Sequence, residues 1–199
     1  MVDFKEIFDI MKKKYEAIFD CYYPTYDNRG FTEKNLSALF VEAYKEKVPS
    51  AIAWYEAPLE SVRKENGHND NKHMDVVIFD DVNSAAIFVE SKRVYDNRKE
   101  RQSRYDLERL RSEKNRLFLS NRYKKKTNTH YCVILADIWA SVKQKIERLK
   151  RWESDQVYDG DGEYIVRNFI DYDTSNNETN NEIKDTYNLL GYIEKIELY

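Results

Sequence analysis

The chain has 199 residues, 41% of them hydrophobic, and a formal net charge of −3, which suits one globular domain with its own core. Cys21 and Cys132 are isolated from each other and from histidines, which argues against a disulfide framework and against a zinc finger. No apolar run reaches the roughly 18 residues that a membrane span needs. We therefore expect a single soluble domain covering residues 1–199, without a signal peptide or membrane segment, in the cytoplasm.

The charge is unevenly distributed along the chain. Residues 92–126 contain 14 Lys or Arg against 5 Asp or Glu, whereas residues 153–199 contain 3 against 12. A charged run is often only a solvated face, but a basic segment of this density also suits a surface that binds a polyanion.

The first third of the chain predicts two helices and a strand. Apolar residues at helical spacing predict an amphipathic helix over 3–20. Thr32 is a suitable N-cap for a second helix over 33–47, which ends before Pro49. The apolar stretch 51–59 then predicts a strand.

Two further strands are predicted after a polar connection. Residues 60–72 contain Gly67 and several Asn, which is typical of a loop or hairpin. Apolar runs then predict strands at about 74–80 and 85–94, joined as a hairpin through "DDVNS".

The second half predicts a mixture of helices and strands. The predicted elements are one long charged helix over 97–122, a buried strand over 130–139, a helix over 140–152, a strand over 164–172, a low-complexity loop over 174–182 and a last amphipathic segment. This order predicts an α/β fold with a central mixed sheet flanked by helices.

Three charged residues interrupt the apolar strands of the predicted hairpin. Because strand side chains alternate, Asp75 can meet Glu90 and Lys92 on one face of the sheet. Charges among core residues need partners or a function. Two carboxylates can hold a hard cation such as Mg²⁺, and a neighbouring lysine can stabilise the charge of a phosphoryl transition state.

The pattern Asp75-x14-Glu90-Ser91-Lys92 resembles the bipartite motif of the PD-(D/E)XK nuclease superfamily, over roughly residues 31–152. Met74 departs from it, because the family has proline at that position. The resemblance implies a restriction-endonuclease-like αβββαβ core, to which the helix 3–20 and an acidic C-terminal extension 153–199 are added.

The resemblance also implies a set of metal ligands and catalytic residues. Mg²⁺, for which Mn²⁺ can substitute, would be held by Asp75, Glu90 and the backbone carbonyl of Ser91, with Lys92 catalytic. A glutamate on the preceding helix would hold a metal-bound water, and Glu33 is our choice, with Glu42 as the alternative. The implied activity is metal-dependent hydrolysis of nucleic-acid phosphodiester bonds, with DNA favoured over RNA.

The basic segment supplies candidate nucleic-acid-binding residues. Gln102 and Tyr105 resemble a Gln and a Tyr that face the substrate in several nuclease families, although the spacing there is usually one residue longer. Arg104, Arg109 and Lys114 can contact phosphates, although each can equally be a surface ion-pair partner.

Several alternatives remain open from the sequence alone. The charged trio can be a structural ion cluster, and the chain can be a catalytically silent nuclease-fold module that binds nucleic acid or protein. The acidic C-terminal region can be a partner-binding surface, and a homodimer is compatible with the sequence. His68 and His73 suit a solvated loop pair better than a metal site, and no role follows for Asp137 or Trp139.

Overall fold

The structure is a computed structural model that describes residues 2–21, 32–59, 62–63, 69–70, 73–94, 97–140, 143–168 and 186–197. The helices are α1 (Phe4–Cys21), α2 (Glu33–Lys47), α3 (Asn97–Arg111), α4 (Glu113–Ser120) and α5 (Lys143–Glu153). The strands are β1 (Ile52–Pro58), β2 (Val62–Arg63), β3 (Asn69–Asp70), β4 (His73–Asp80), β5 (Ala85–Arg93), β6 (Thr129–Ala140), β7 (Glu163–Asn168) and β8 (Thr186–Glu197).

Six of the strands form one mixed sheet, in the order β1-β4-β5-β6-β8-β7. Strands β1, β4 and β5 form an antiparallel meander, and β6 joins β5 in parallel after the crossover through α3 and α4. The pairs β6–β8 and β8–β7 are antiparallel. The short β2 and β3 pair with each other as a separate two-stranded ribbon in the connection predicted as a loop or hairpin.

The sheet has a hydrophobic core on each face, so the α/β fold with a mixed central sheet is confirmed. On one face, α1 and α2 cover the side chains of Val76, Ile87 and Val133. On the other, α3, α4 and α5 cover Phe88 and Ile134. Strands β5 and β6 are therefore buried on both faces, which explains their nearly continuous apolar sequences.

The single long helix predicted over 97–122 is wrong, because Ser112 divides it into α3 and α4. Ser112 has φ −58° and ψ 111°, which is not helical. Side chains of α4 then satisfy carbonyl groups at the end of α3: Arg116 Nη1 donates to the Arg111 carbonyl at 2.9 Å, and Asn115 Nδ2 donates to the Arg109 carbonyl at 3.1 Å. These bonds supply partners that a helix end otherwise lacks.

The C-terminal part of the chain completes the sheet. The segment predicted as amphipathic is strand β8, and its pairing with β6 runs from Thr129–Glu197 to Ala140–Thr186. β7 then forms the far edge. Residues 174–182, predicted as a low-complexity loop, lie outside the described residues. None of the helices in the described ranges combines the length and apolar character that crossing a membrane requires.

His130 is fully buried on β6, so its protonation couples the stability of the fold to pH. Its ring packs edge-on against Phe88 with centroids 5.0 Å apart, and its Nε2 lies 3.2 Å from Thr127 Oγ1. Burial, with a contribution from the charge of Arg116, lowers the pKa of His130 to about 4. The unfolded chain therefore binds one more proton than the folded protein between about pH 6.5 and pH 4.

Below about pH 6.5, the wild-type protein should lose about 1.4 kcal/mol of unfolding free energy per pH unit through His130 alone. Urea unfolding at pH 7, 6 and 5 should show this extra slope in the wild type and in the exposed-site variant His73→Gln, but not in His130→Gln. Equal slopes in all three proteins would contradict a neutral, buried His130.

Candidate active site

The candidate site lies where the pairing of β4 and β5 ends. Their ladder runs from Asp80–Ala85 to Val76–Val89 and does not include Asp75 and Glu90. The backbone N–H of Ser91 instead donates to Asp75 Oδ2 at 2.7 Å. The side chain of Asp75 thus replaces a backbone acceptor at the point where the strands separate.

Glu90 carries a carboxylate in the protein interior, with 1% of its surface exposed. Its Oε1 lies 2.6 Å from Arg109 Nη2, and its Oε2 lies 3.8 Å from Lys92 Nζ. Burial, followed by the negative charge of Asp75, raises the pKa of Glu90 above its ordinary value, whereas the charges of Arg109 and Lys92 lower it. The negative charge of Asp75 therefore acts on Glu90, the second acid of the predicted motif.

Helix α3 supplies both cationic and anionic partners to this site. Lys92 Nζ lies 3.1 Å from Asp106 Oδ2, and Arg109 Nη2 lies 2.8 Å from Asp106 Oδ1. Burial alone would lower the pKa of Lys92, but Asp106 and Glu90 outweigh it and raise that pKa above its ordinary value. Lys92 therefore stays positively charged at neutral pH.

Asp75 is surrounded by further acids on two neighbouring elements. Burial is the main cause that raises the pKa of Asp75, and the charges of Glu33 and Glu56 add to it. The pairs of Tyr55 with Val76 and Ala57 with Met74 place Glu56 opposite Asp75 in the β1–β4 register. Both glutamates also have lysine partners, Glu33 with Lys99 at 3.3 Å and Glu56 with Lys34 at 3.6 Å, and the charge of Lys92 lowers the pKa of Asp75.

The two glutamates considered on α2 have different positions. Glu33 begins the helix, and its Oε1 accepts from the backbone N–H of Arg93 at 3.2 Å and from Lys99 Nζ at 3.3 Å. Glu33 therefore reaches the end of β5. Glu42 lies about 13 Å further along α2, where it pairs with Lys14 at 3.7 Å. The geometry favours Glu33 over Glu42.

Two observations bear on whether these residues suit a divalent cation. Although Arg109 is close, Glu90 Oε1 is buried without a hydrogen-bond donor in good geometry within the described part of the chain. Such an oxygen suits a hard cation. Against this, the described residues contain no group of three or more His, Cys, Asp and Glu side chains arranged to hold a metal ion.

The predicted nucleic-acid-binding residues divide into two sets. Gln102, Arg104 and Lys114 have exposed side chains on α3 and α4, and Tyr105 is 74% exposed. Arg109 instead pairs inside the site with Glu90 and Asp106. Its contact with a buried carboxylate gives it a role in positioning and charge balance. His73 is exposed at the start of β4, and His68 lies outside the described residues.

Asp137, which had no role in the sequence analysis, joins the end of β5 to β8. Its Oδ2 accepts from the Tyr187 hydroxyl at 2.7 Å and lies 3.4 Å from Arg93 Nε. Burial is the main cause that raises the pKa of Asp137, to about 6. Sequence reasoning also missed Asp106; its only signal was the spacing of three residues to Arg109, which helix surfaces commonly show.

No protein-family model, curated protein or solved structure matches this chain.

The ion cluster itself can be tested through Arg109. We expect Arg109→Met to lower the free energy of unfolding by roughly 2–3 kcal/mol, because Glu90 loses its cationic partner. The cost is below that of breaking a fully buried ion pair, since 24% of the Arg109 side chain is exposed. The double variant Glu90→Gln/Arg109→Met should regain more than about 1 kcal/mol of that loss, since no buried charge then lacks its partner.

Urea unfolding of the two single variants, the double variant and the wild type measures this coupling. Arg104→Met, on the same helix but with 50% of its side chain exposed, is the matched control and should change stability by less than about 0.5 kcal/mol. Additive effects in the Glu90 and Arg109 variants would mean that their contact contributes nothing to the fold.

Proposed function

We propose that this protein is a metal-dependent nuclease that hydrolyses phosphodiester bonds of nucleic acid, with DNA favoured over RNA. The observation that carries the proposal is the convergence of Asp75, Glu90 and Lys92 where β4 and β5 separate. Two acids that disfavour each other's ionisation, next to a lysine, form a suitable arrangement for phosphoryl chemistry at a bound cation.

The order and pairing of the elements support a restriction-endonuclease-like core. Helix α2 is followed by the antiparallel strands β1, β4 and β5, then by α3 and α4, and then by β6, parallel to β5. This corresponds to the αβββαβ order that the motif implies.

The oxygen donors at the site have the chemistry that Mg²⁺ prefers. Asp75, Glu90 and the Ser91 backbone carbonyl would hold the ion, with Mn²⁺ as a substitute. When bound, the ion supplies Lewis-acid stabilisation and lowers the pKa of a water ligand. Glu90 Oε1, which lies 2.6 Å from Arg109 Nη2, would exchange that contact for the ion.

The protein's own side chains would orient and stabilise the reacting groups. Lys92 remains protonated and 15% exposed, so its ammonium group can face the developing charge on a phosphoryl oxygen. Glu33, held against the end of β5 by the Arg93 amide, is suited to orient a water. Asp106 positions Lys92 and Arg109 without reaching the substrate.

Glu90→Ala and Lys92→Ala should each reduce cleavage of nucleic acid in Mg²⁺ or Mn²⁺ by on the order of 100-fold or more. The reason is loss of a metal ligand in the first variant and of a charge stabiliser in the second. Cleavage of labelled single-stranded DNA, duplex DNA and RNA, with circular dichroism as a check of folding, measures this effect.

Glu42→Ala is the matched control, because it removes an acid from α2 that pairs with Lys14 instead of reaching the site. This control should keep the wild-type rate. The nuclease proposal fails if the wild type cleaves none of these substrates with either metal.

The exposed basic residues of α3 and α4 are suited to hold the phosphate backbone beside the site. Replacing Arg104 and Lys114 together by Gln should weaken binding of labelled duplex DNA to Glu90→Ala protein, whatever the DNA sequence. The plot of log affinity against log salt has a negative slope, and its magnitude should decrease by about 0.9 for each lost contact with duplex DNA.

The control for this prediction is Lys13→Gln/Lys45→Gln, which removes two exposed charges from α1 and α2 on the opposite face of the sheet. It should leave the salt slope unchanged. Equal slopes in both double variants would contradict the proposal that the exposed basic residues of α3 and α4 bind phosphates. That result would not bear on the proposed metal site.

One observation favours a second candidate, a catalytically silent nuclease-fold module. Glu90, Arg109, Asp106 and Lys92 neutralise one another in a closed set of ion pairs, and the described residues contain no three-ligand metal cluster. Such a module would bind nucleic acid but would gain no stability from Mn²⁺. Thermal unfolding with and without Mn²⁺ separates it from the nuclease.

A further inference from the structure

A groove of about 560 Å³ lies beside strand β1, away from the acids of the candidate site. It is bounded by Ile52 and Trp54 on β1, by Phe79 on β4, and by the connection between α4 and β6. β1 is an edge strand of the six-stranded sheet, and among the described strands it pairs only with β4. No residue of the groove belongs to the acid and lysine motif.

The groove exposes aromatic and apolar surface. Trp54 is 36% exposed and Ile52 is 54% exposed, while the ring of Tyr123 stacks on Phe79 with centroids 4.2 Å apart. The Tyr123 hydroxyl also donates to Asp81 at 2.5 Å. The stacking on Phe79 and the hydrogen bond to Asp81 hold the Tyr123 ring in place. Exposed apolar side chains that cluster on an edge strand are typical of a binding surface.

The rim of the groove carries an excess of positive charge. Arg122, Lys124 and Lys125 line it, and Lys125 pairs with Asp81. Within the described ranges, no carboxylate lies in ion-pair contact with Arg122 or Lys124. Arg122 instead lies over the Phe118 ring, 3.8 Å from its centroid. The groove thus offers planar apolar surface and two cations that remain available.

We propose that this groove binds an unpaired segment of nucleic acid, with a base stacked on Trp54 and phosphates paired with Arg122 and Lys124. Aromatic platforms next to a basic track are the general means by which proteins bind single strands, because every base has a stacking face and every nucleotide carries a phosphate. The aromatic wall and the cationic rim are both needed for this ligand.

The groove and the candidate active site lie on the same face of the sheet. Phe79 and Asp75 are four residues apart on β4, which places them about 13 Å apart along the strand. A strand held in the groove can therefore continue towards Asp75 and Glu90. Only this continuation rests on the proposed nuclease function; binding in the groove does not require the metal site.

A second copy of the chain is a less suitable occupant. Pairing of two β1 edges around a two-fold axis would place both copies of the Arg122–Lys125 rim on the same face of the joined sheet. Like charges would then approach each other. An acidic peptide would satisfy the rim but would leave the stacking surface of Trp54 unused.

The test measures fluorescence anisotropy of a labelled 12-mer of thymidylate in EDTA, so that neither metal binding nor cleavage contributes. An abasic 12-mer with the same charge is the matched probe. The wild type should bind the thymidylate strand more tightly, and Trp54→Ala should lose roughly 5- to 150-fold in affinity for it and remove the preference. Arg122→Gln/Lys124→Gln should weaken both probes and lower the salt slope by about 1.4.

The control variants are Tyr55→Ala and Lys45→Gln. Tyr55 and Lys45 line a pocket on the opposite side of β1, so both variants should bind the thymidylate strand as the wild type does. Three outcomes would overturn the proposal. They are equal binding of the abasic strand, equal displacement by a polyglutamate peptide, and a concentration-dependent dimer in sedimentation that Trp54→Ala dissociates. If Trp54→Ala does not fold, an unchanged salt slope in Arg122→Gln/Lys124→Gln likewise overturns it.

Discussion

The burial of the Glu90 carboxylate beside Asp75 is the constraint on which the arrangement of the site depends. A carboxylate that is 1% exposed and lies at the end of the β4–β5 ladder near a second acid requires positive charge close to it. Helix α3 supplies Arg109, and β5 supplies Lys92. The position of α3 across β5 is therefore tied to the electrostatics of the strand as well as to apolar packing.

The same negative charge can be balanced by Arg109 or by a divalent cation. Arg109 has a second carboxylate partner, since its Nη2 lies 2.8 Å from Asp106 as well as 2.6 Å from Glu90. It can therefore release Glu90 to an ion without becoming an unpaired buried charge. The ion pairs that favour a silent module are thus also compatible with a metal-dependent enzyme, and metal binding decides between them.

The sequence predicts local elements and the hairpin geometry better than the long-range arrangement. The bounds of α2 and the approach of Asp75 to Glu90 follow from helical spacing, strand alternation and a short connection. The break at Ser112 has no glycine or proline to indicate it. The insertion of β8 between β6 and β7 depends on pairing between distant segments, which local patterns do not encode. Asp106 was missed because one acid on a charged helix resembles any other.

The proposed nuclease function would require a polyanion to approach a group of acids, and the distribution of charge in this protein would reduce that conflict. Asp75 and Glu90 are largely removed from solvent, and Lys92 and Arg109 offset their charge locally. The exposed surface of α3, α4 and the following connection is predominantly basic. A phosphate approaching along the proposed path would therefore meet the cations first, and Lys92 and Arg109 would weaken the repulsion from the buried acids.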